Sequence, residues 1–335
     1  MGKHTEDDYI FPSVVIRSNE VNLLSQEDLE HVMEQKSVQQ AMNMLFDFGY
    51  GDGKEMANPR DFEKALKKNL EDAYELVYSI APDEQEIDMF LFPNDYHNCK
   101  VLLKAEILKT DPDPYLVHSG TVSPETMKEM IRKRDYSLMS VEMRNGIEQA
   151  IDLYSKSHDP QEIDINLDRA CYRDMQIAAQ DSENEFVQEY VMKMIDIMNV
   201  TTMVRLRETQ KPRNFYQKVF LEGGNFDFRY MDSIYEENYA SLAEKLGPFG
   251  FHDLLAVGAE ETKRTGKFTE LERLADNMKM AYVKDSQLVP FGIEPLVGYL
   301  TAKEMEVKNL RIVLTGKIAG TPDEVTKERL RETYV

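Results

Sequence analysis

The 335-residue chain carries 61 Asp and Glu against 40 Lys and Arg, a formal net charge of −21 that opposes binding to nucleic acid or anionic lipid. With 42% hydrophobic residues it can bury sizeable cores in two or three domains, which excludes disorder as its main state. Its two cysteines, Cys99 and Cys171, exclude a disulfide scaffold, offer no zinc-ligand spacing and suit a reducing compartment. Gly and Pro are scarce while Leu, Met, Glu, Lys and Ala recur, a balance that favours helix. No apolar run approaches the roughly 20 residues that span a bilayer, and Met1 to Asp8 lacks the parts of a signal peptide, so a cytoplasmic chain is expected.

In chain order, the first clear helix start is Ser25, an N-cap residue with apolar Leu29 four positions on. Gly49-Tyr50-Gly51-Asp52-Gly53-Lys54 invites comparison with a phosphate loop, but Glu55 stands where Ser or Thr would bind magnesium and no strand precedes it; it reads as a turn. Phe62, Leu66, Leu70, Ala73, Val77 and Ile80 then form one apolar helix face. A stripe of Met89, Phe92, Tyr96, Cys99 and Leu103 follows, and a linker over residues 109–124. Ser123, with Pro124 and Met127, starts the next helical stretch. Phe186, Tyr190, Ile197, Val200 and Val204 form a second stripe, interrupted by Lys193 and followed by a linker over 209–227. Asp227 with Met231 starts the last third, whose stripe is Ile293, Leu296, Leu300, Val307, Leu310 and Leu314, interrupted by Lys303. Convincing strand alternation appears nowhere, and an all-α protein is predicted.

The three stripes are in register. Asn98, Asn199 and Asn309 lie 101 and 110 residues apart, each with a proline 13 or 14 positions later: Pro112, Pro212 and Pro322. Each Asn has an acidic residue three positions earlier, Asp95, Asp196 and Glu306, on the same helix face and able to hydrogen-bond. Agreement of caps, stripes, Asn–acid pairs and prolines predicts three similar helical units, residues 1–115, 116–222 and 223–335. A single helical bundle with fortuitous spacing is the alternative.

Catalytic chemistry is not indicated. The histidines at 4, 31, 97, 118, 158 and 252 form no His-x3-His or His-Glu-x-x-His pattern, and no Gly-x-Ser-x-Gly elbow occurs. Asp7-Asp8, Asp111 with Asp113, and Asp164 with Asp168 each lack the further carboxylates of a magnesium-diphosphate site. No catalytic, cofactor-binding or metal-binding residue is therefore predicted. Lys64, Lys67 and Lys68, like Arg132, Lys133 and Arg134, are short basic clusters beside acidic residues. Lys193 and Lys303 have two readings, a snorkelling side chain at the edge of a stripe or a charge pointed into a central opening.

The run from Pro290-Phe291-Gly292-Ile293-Glu294-Pro295-Leu296 through Lys303-Glu304-Met305-Glu306-Val307-Lys308-Asn309-Leu310 to Gly316-Lys317, with the ending Glu328-Arg329-Leu330-Arg331-Glu332-Thr333-Tyr334-Val335, resembles the C subunit of bacterial and archaeal V-type (A-type) ATPases, a relative of the eukaryotic d subunit. Tyr9 to Arg17 and on to Leu24-Ser25-Gln26-Glu27-Asp28 resembles the family's first helix, although Pro12 calls for a late start or a bend there. Asn98-Cys99-Lys100-Val101-Leu102-Leu103-Lys104, and Asn199 with Arg205 and Arg207, match its Asn segments; Glu106 departs from the base matched by Arg207 and Lys317. The resemblance implies a funnel of three similar helical domains about a pseudo-threefold axis. It implies a non-catalytic central-stalk role, coupling the D and F shaft subunits to the ion-translocating rotor ring at the cytoplasmic face of the membrane, with no nucleic acid and no direct lipid anchor. A free cytosolic all-helical adaptor or scaffold is the competing reading.

Overall fold

The computed structural model describes residues 4–51 and 62–335. In chain order its α-helices are α1 (Ile10–Glu20), α2 (Gln26–Glu34), α3 (Val38–Asp47), α4 (Phe62–Ile80), α5 (Glu84–Leu108), α6 (Pro124–Lys133), α7 (Val141–Ser157) and α8 (Gln161–Asp181). They continue as α9 (Glu185–Glu208), α10 (Arg213–Val219), α11 (Phe228–Ile234), α12 (Tyr239–Leu246), α13 (Glu260–Thr265), α14 (Thr269–Lys284), α15 (Ile293–Ala319) and α16 (Asp323–Lys327). A π-helical stretch, Leu254–Ala259, runs into α13, and no strand occurs among the described residues: the protein is all-α. Of the Gly-rich run, Asp52, Gly53 and Lys54, like Glu55, lie outside the described residues.

Local chemistry sets the helix starts. Ser25 Oγ accepts the Asp28 N–H while the Asp28 carboxylate accepts the Ser25 N–H, a reciprocal capping box at α2. Ser123 caps α6 through the Thr126 N–H, with Pro124 where a missing N–H costs nothing, and Asp227 caps α11 through the Tyr230 N–H. Leu29, Met127 and Met231, four positions after these caps, are fully buried. At the other end, α5, α9 and α15 stop at Leu108, Glu208 and Ala319, three or four residues before Pro112, Pro212 and Pro322.

Pro12 and Pro93, each inside a helix, behave differently. Pro12 is the third residue of α1, inside the turn whose N–H groups have no helical acceptor, and a 3₁₀ turn (Glu6–Tyr9) precedes it, so the helix starts late and is not interrupted. Pro93 lies within α5, which continues through it to Leu108. A proline inside a helix costs about 3 kcal/mol, and burial of Met89, Phe90, Leu91, Tyr96 and Cys99 around it outweighs that penalty.

Packing divides the chain into two compact units, residues 83–235 and residues 4–82 with 236–335, a partition that cuts elsewhere than the sequence repeats. In the first, α8 packs on α5, α7 and α9. In the second, α15 is covered by α1, α2, α3, α4, α14 and α16. Its core joins Leu29, Val32, Met42, Leu45 and Leu66 to Leu310, Val313 and Leu314. Such all-round cover matches a helix that is apolar on nearly every side.

Candidate functional site

Helices α5, α9 and α15 carry Asn98, Asn199 and Asn309, all buried. Each side-chain amide grips the backbone of one residue in the segment that follows its helix, donating from Nδ2 to that residue's carbonyl and accepting its N–H on Oδ1. The partner is Val117 for Asn98 (2.8 and 2.9 Å), Leu221 for Asn199 (2.7 and 2.9 Å) and Arg331 for Asn309 (3.0 and 2.8 Å). The partners lie 19, 22 and 22 residues downstream. Both polar atoms of each Asn are thus directed at distant backbone, and the local bond to the acid three positions earlier, expected from the sequence, is not what they make. Bidentate pairing fixes both position and orientation of the captured residue, and in a buried site it satisfies two backbone groups that would otherwise be unpaired.

The acids three positions earlier hold the same connecting segments farther along. Asp95 accepts the Thr121 N–H (3.0 Å), the Thr121 hydroxyl (2.7 Å) and the Val122 N–H (3.1 Å). Asp196 accepts the backbone N–H and side-chain amide of Asn225 (3.1 and 2.8 Å) and the Phe226 N–H (3.5 Å). Val122 and Phe226 immediately precede the N-caps Ser123 and Asp227, so each acid positions the start of the next helix.

Glu306 repeats this relation with chain ends. Its Oε2 accepts the N–H of Leu24 (2.6 Å), the residue before N-cap Ser25, while Asn309 holds Arg331 in the C-terminal segment. What is one continuous connector at the first two stations is two separate pieces here. Glu306 also accepts bonds from the Tyr50 hydroxyl and the Lys303 ammonium.

Close backbone approach explains two glycines. A Cβ on Gly120 would overlap the Asp95 carboxylate, and one on Gly224 would overlap that of Asp196. Both lie three residues before the N-cap, where the third station has Asn22 and an acid longer by one methylene. Asp with Gly and Glu with Asn are thus alternative spacings for one grip.

Burial dominates the electrostatics. Desolvation pushes Asp95 up to about 6, against the opposing hydrogen bonds from Thr121 and Val122. It also raises Asp196, opposed by Asn225, Phe226 and Lys193. Lys193 is half-buried and held below the ordinary lysine range by desolvation, with Asp196 acting against it. Lys303 is buried, pairs with Glu306 and lies 5.0 Å from the Tyr50 ring centroid. Cys99 and Cys171 are buried thiols whose ionisation is suppressed by desolvation. Among the described residues no group of three His, Cys, Asp or Glu is arranged to hold a metal ion, and no helix is long and apolar enough to cross a membrane.

Sequence spacing singled out the Asn and acidic residues but missed Gly120, Thr121, Gly224, Asn225, Leu24 and Tyr50. A signal for four of these existed: Gly120-Thr121-Val122-Ser123 and Gly224-Asn225-Phe226-Asp227 share a pattern of Gly, hydrogen-bonding residue, apolar residue and cap. The arrangement ties each long helix to the connector that leaves it.

The sequence profile of the ATP synthase (C/AC39) subunit family matches residues 12–329. The chain is 25% identical over 320 residues to the C subunit of the V-type sodium ATPase of Enterococcus hirae, covering 96% of this chain and 97% of that protein. It is 24% identical over 338 residues to the C subunit of the A-type ATP synthase of Methanocaldococcus jannaschii (95% and 85%), and 23% identical over 342 residues to that of Pyrococcus abyssi (97% and 90%).

Proposed function

Because the chain belongs to the ATP synthase (C/AC39) subunit family, and so is a subunit of a rotary V/A-type ATPase, we propose that it is the non-catalytic collar of the rotor. In this reading three similar helical domains, residues 1–115, 116–222 and 223–335, surround a pseudo-threefold axis. The collar sits on the membrane ring at the cytoplasmic face and grips the D and F shaft subunits, carrying torque between shaft and ring. The observation that carries the proposal is the threefold recurrence of the Asn–acid stations: Asp95 holds the residue before Ser123, Asp196 the residue before Asp227, and Glu306 the residue before Ser25. Buried hydrogen-bonded joints resist the rotamer and backbone changes that would absorb twist.

The charge fits attachment through protein loops, since −21 opposes direct seating on anionic lipid. Co-sedimentation with a purified rotor ring and with the D/F shaft at low and moderate salt tests the proposal, with ring-free vesicles as control. Binding to ring and shaft, weakened by salt, is expected. Failure to bind either at any salt, the outcome of the adaptor reading, or equal binding to anionic vesicles, overturns it.

A further inference from the structure

Helix α1 is covered on one side only. Pro12, Ser13 and Ile16 are buried against α4 and α15. On the opposite side Ile10, Val14 and Val21 fall within about 40° of one another at about 100° per residue, with Phe11 at the edge. All four are exposed, Phe11 at 66% and Val21 at 79%.

The face extends beyond the helix. The Arg17 guanidinium donates to the carbonyls of Ser286 and Val289 (2.8 Å each) and pairs with Glu20 (2.7 Å). It therefore fastens the turn around Leu288 beside α1 and has no charge left to offer a partner. Leu288, 85% exposed, continues the apolar strip. At the helix start Glu6, Asp7 and Asp8 are all exposed and form an acidic border, with Asp8 also accepting the Thr5 N–H.

These features select among occupants. Helices that lie on membranes flank their apolar stripe with Lys and Arg, whereas this border is acidic and the local arginine is engaged. A second copy would bring the same acidic border against itself. A protein segment with apolar residues at its centre and Lys or Arg at one end satisfies both parts of the surface.

We propose that the α1–Leu288 face docks an apolar, basic-bordered segment of another subunit of the same ATPase, an inference that rests on the rotor reading above. The test measures binding of the full chain to a purified rotor assembled without it. Val14→Glu/Val21→Glu is expected to weaken binding at least tenfold and Leu288→Glu several-fold. Glu6→Lys/Asp7→Lys should slow association several-fold at low salt, and Leu138→Glu, exposed in the other unit, should have no effect. If the double variant loses its helical circular dichroism, Val21→Glu and Leu288→Glu carry the test.

Wild-type binding with every variant equally tight overturns the docking proposal alone. Wild-type failure to bind overturns the rotor reading and the docking with it. Patch-dependent binding to phosphatidylglycerol vesicles, or patch-dependent self-association in sedimentation, replaces the protein partner by lipid or by a second copy and overturns the proposal.

Discussion

Asn199→Leu removes two buried hydrogen bonds to a single residue and leaves the N–H and carbonyl of Leu221 unpaired. Each orphaned group costs about 1–3 kcal/mol, partly offset by about 1 kcal/mol from added apolar contact, for a net loss of about 1–5 kcal/mol. At about 1.4 kcal/mol per factor of ten, hydrogen exchange of the Leu221 amide should accelerate roughly 5- to 4,000-fold. The denaturation midpoint of the unit should fall with it. Asn199→Asp separates the two bonds, because it keeps the acceptor for the Leu221 N–H but sets a carboxylate against the carbonyl now bonded at 2.7 Å. It should destabilise at neutral pH and recover at a pH low enough to protonate it. Unchanged Leu221 exchange and an unchanged midpoint in both variants would refute the role assigned to these Asn residues.

Asp95, raised to about 6 in the folded chain, should give a carboxyl carbon resonance that titrates there. Because its folded value exceeds the unfolded one, its contribution to stability is full below about pH 4 and is lost as pH rises through about 6; the Asp95→Ala variant should lack that component of the pH profile. Gly224→Ala should cost about 1–3 kcal/mol through overlap with Asp196, read as a lowered melting temperature. Lys303→Met leaves Glu306 buried without its cation and should cost about 3–5 kcal/mol, with Lys303→Met/Glu306→Gln recovering much of it in the same denaturation assay.

The helical class and its punctuation were legible because caps and stripes are local. Ser25, Ser123 and Asp227 act within three residues, and an apolar stripe repeats within two turns. The identity of the Asn and acidic positions was legible from spacing, but their partners were not, since a side chain that reaches a connector 19 to 22 residues away leaves no local pattern. Pro93 shows tertiary packing outweighing a strong local stop signal. Lys303 shows the limit of reading a lone charge in an apolar stripe: its partner Glu306 is one turn away, but Tyr50, the third member, arrives from far along the chain. The two packing units were likewise hidden, because α2, α3 and α4 pack on α15, which lies far along the chain.

Electron microscopy of the intact ATPase, with this chain marked by a fused domain at its C-terminus, bears most directly on the collar. A collar requires one copy per complex, on the rotation axis between ring and shaft, with three quasi-equivalent lobes whose long helices carry Asn98, Asn199 and Asn309 at corresponding heights. Density for the chain off the axis, attached to the stationary part of the machine, or with the three Asn residues in non-equivalent surroundings, would contradict it.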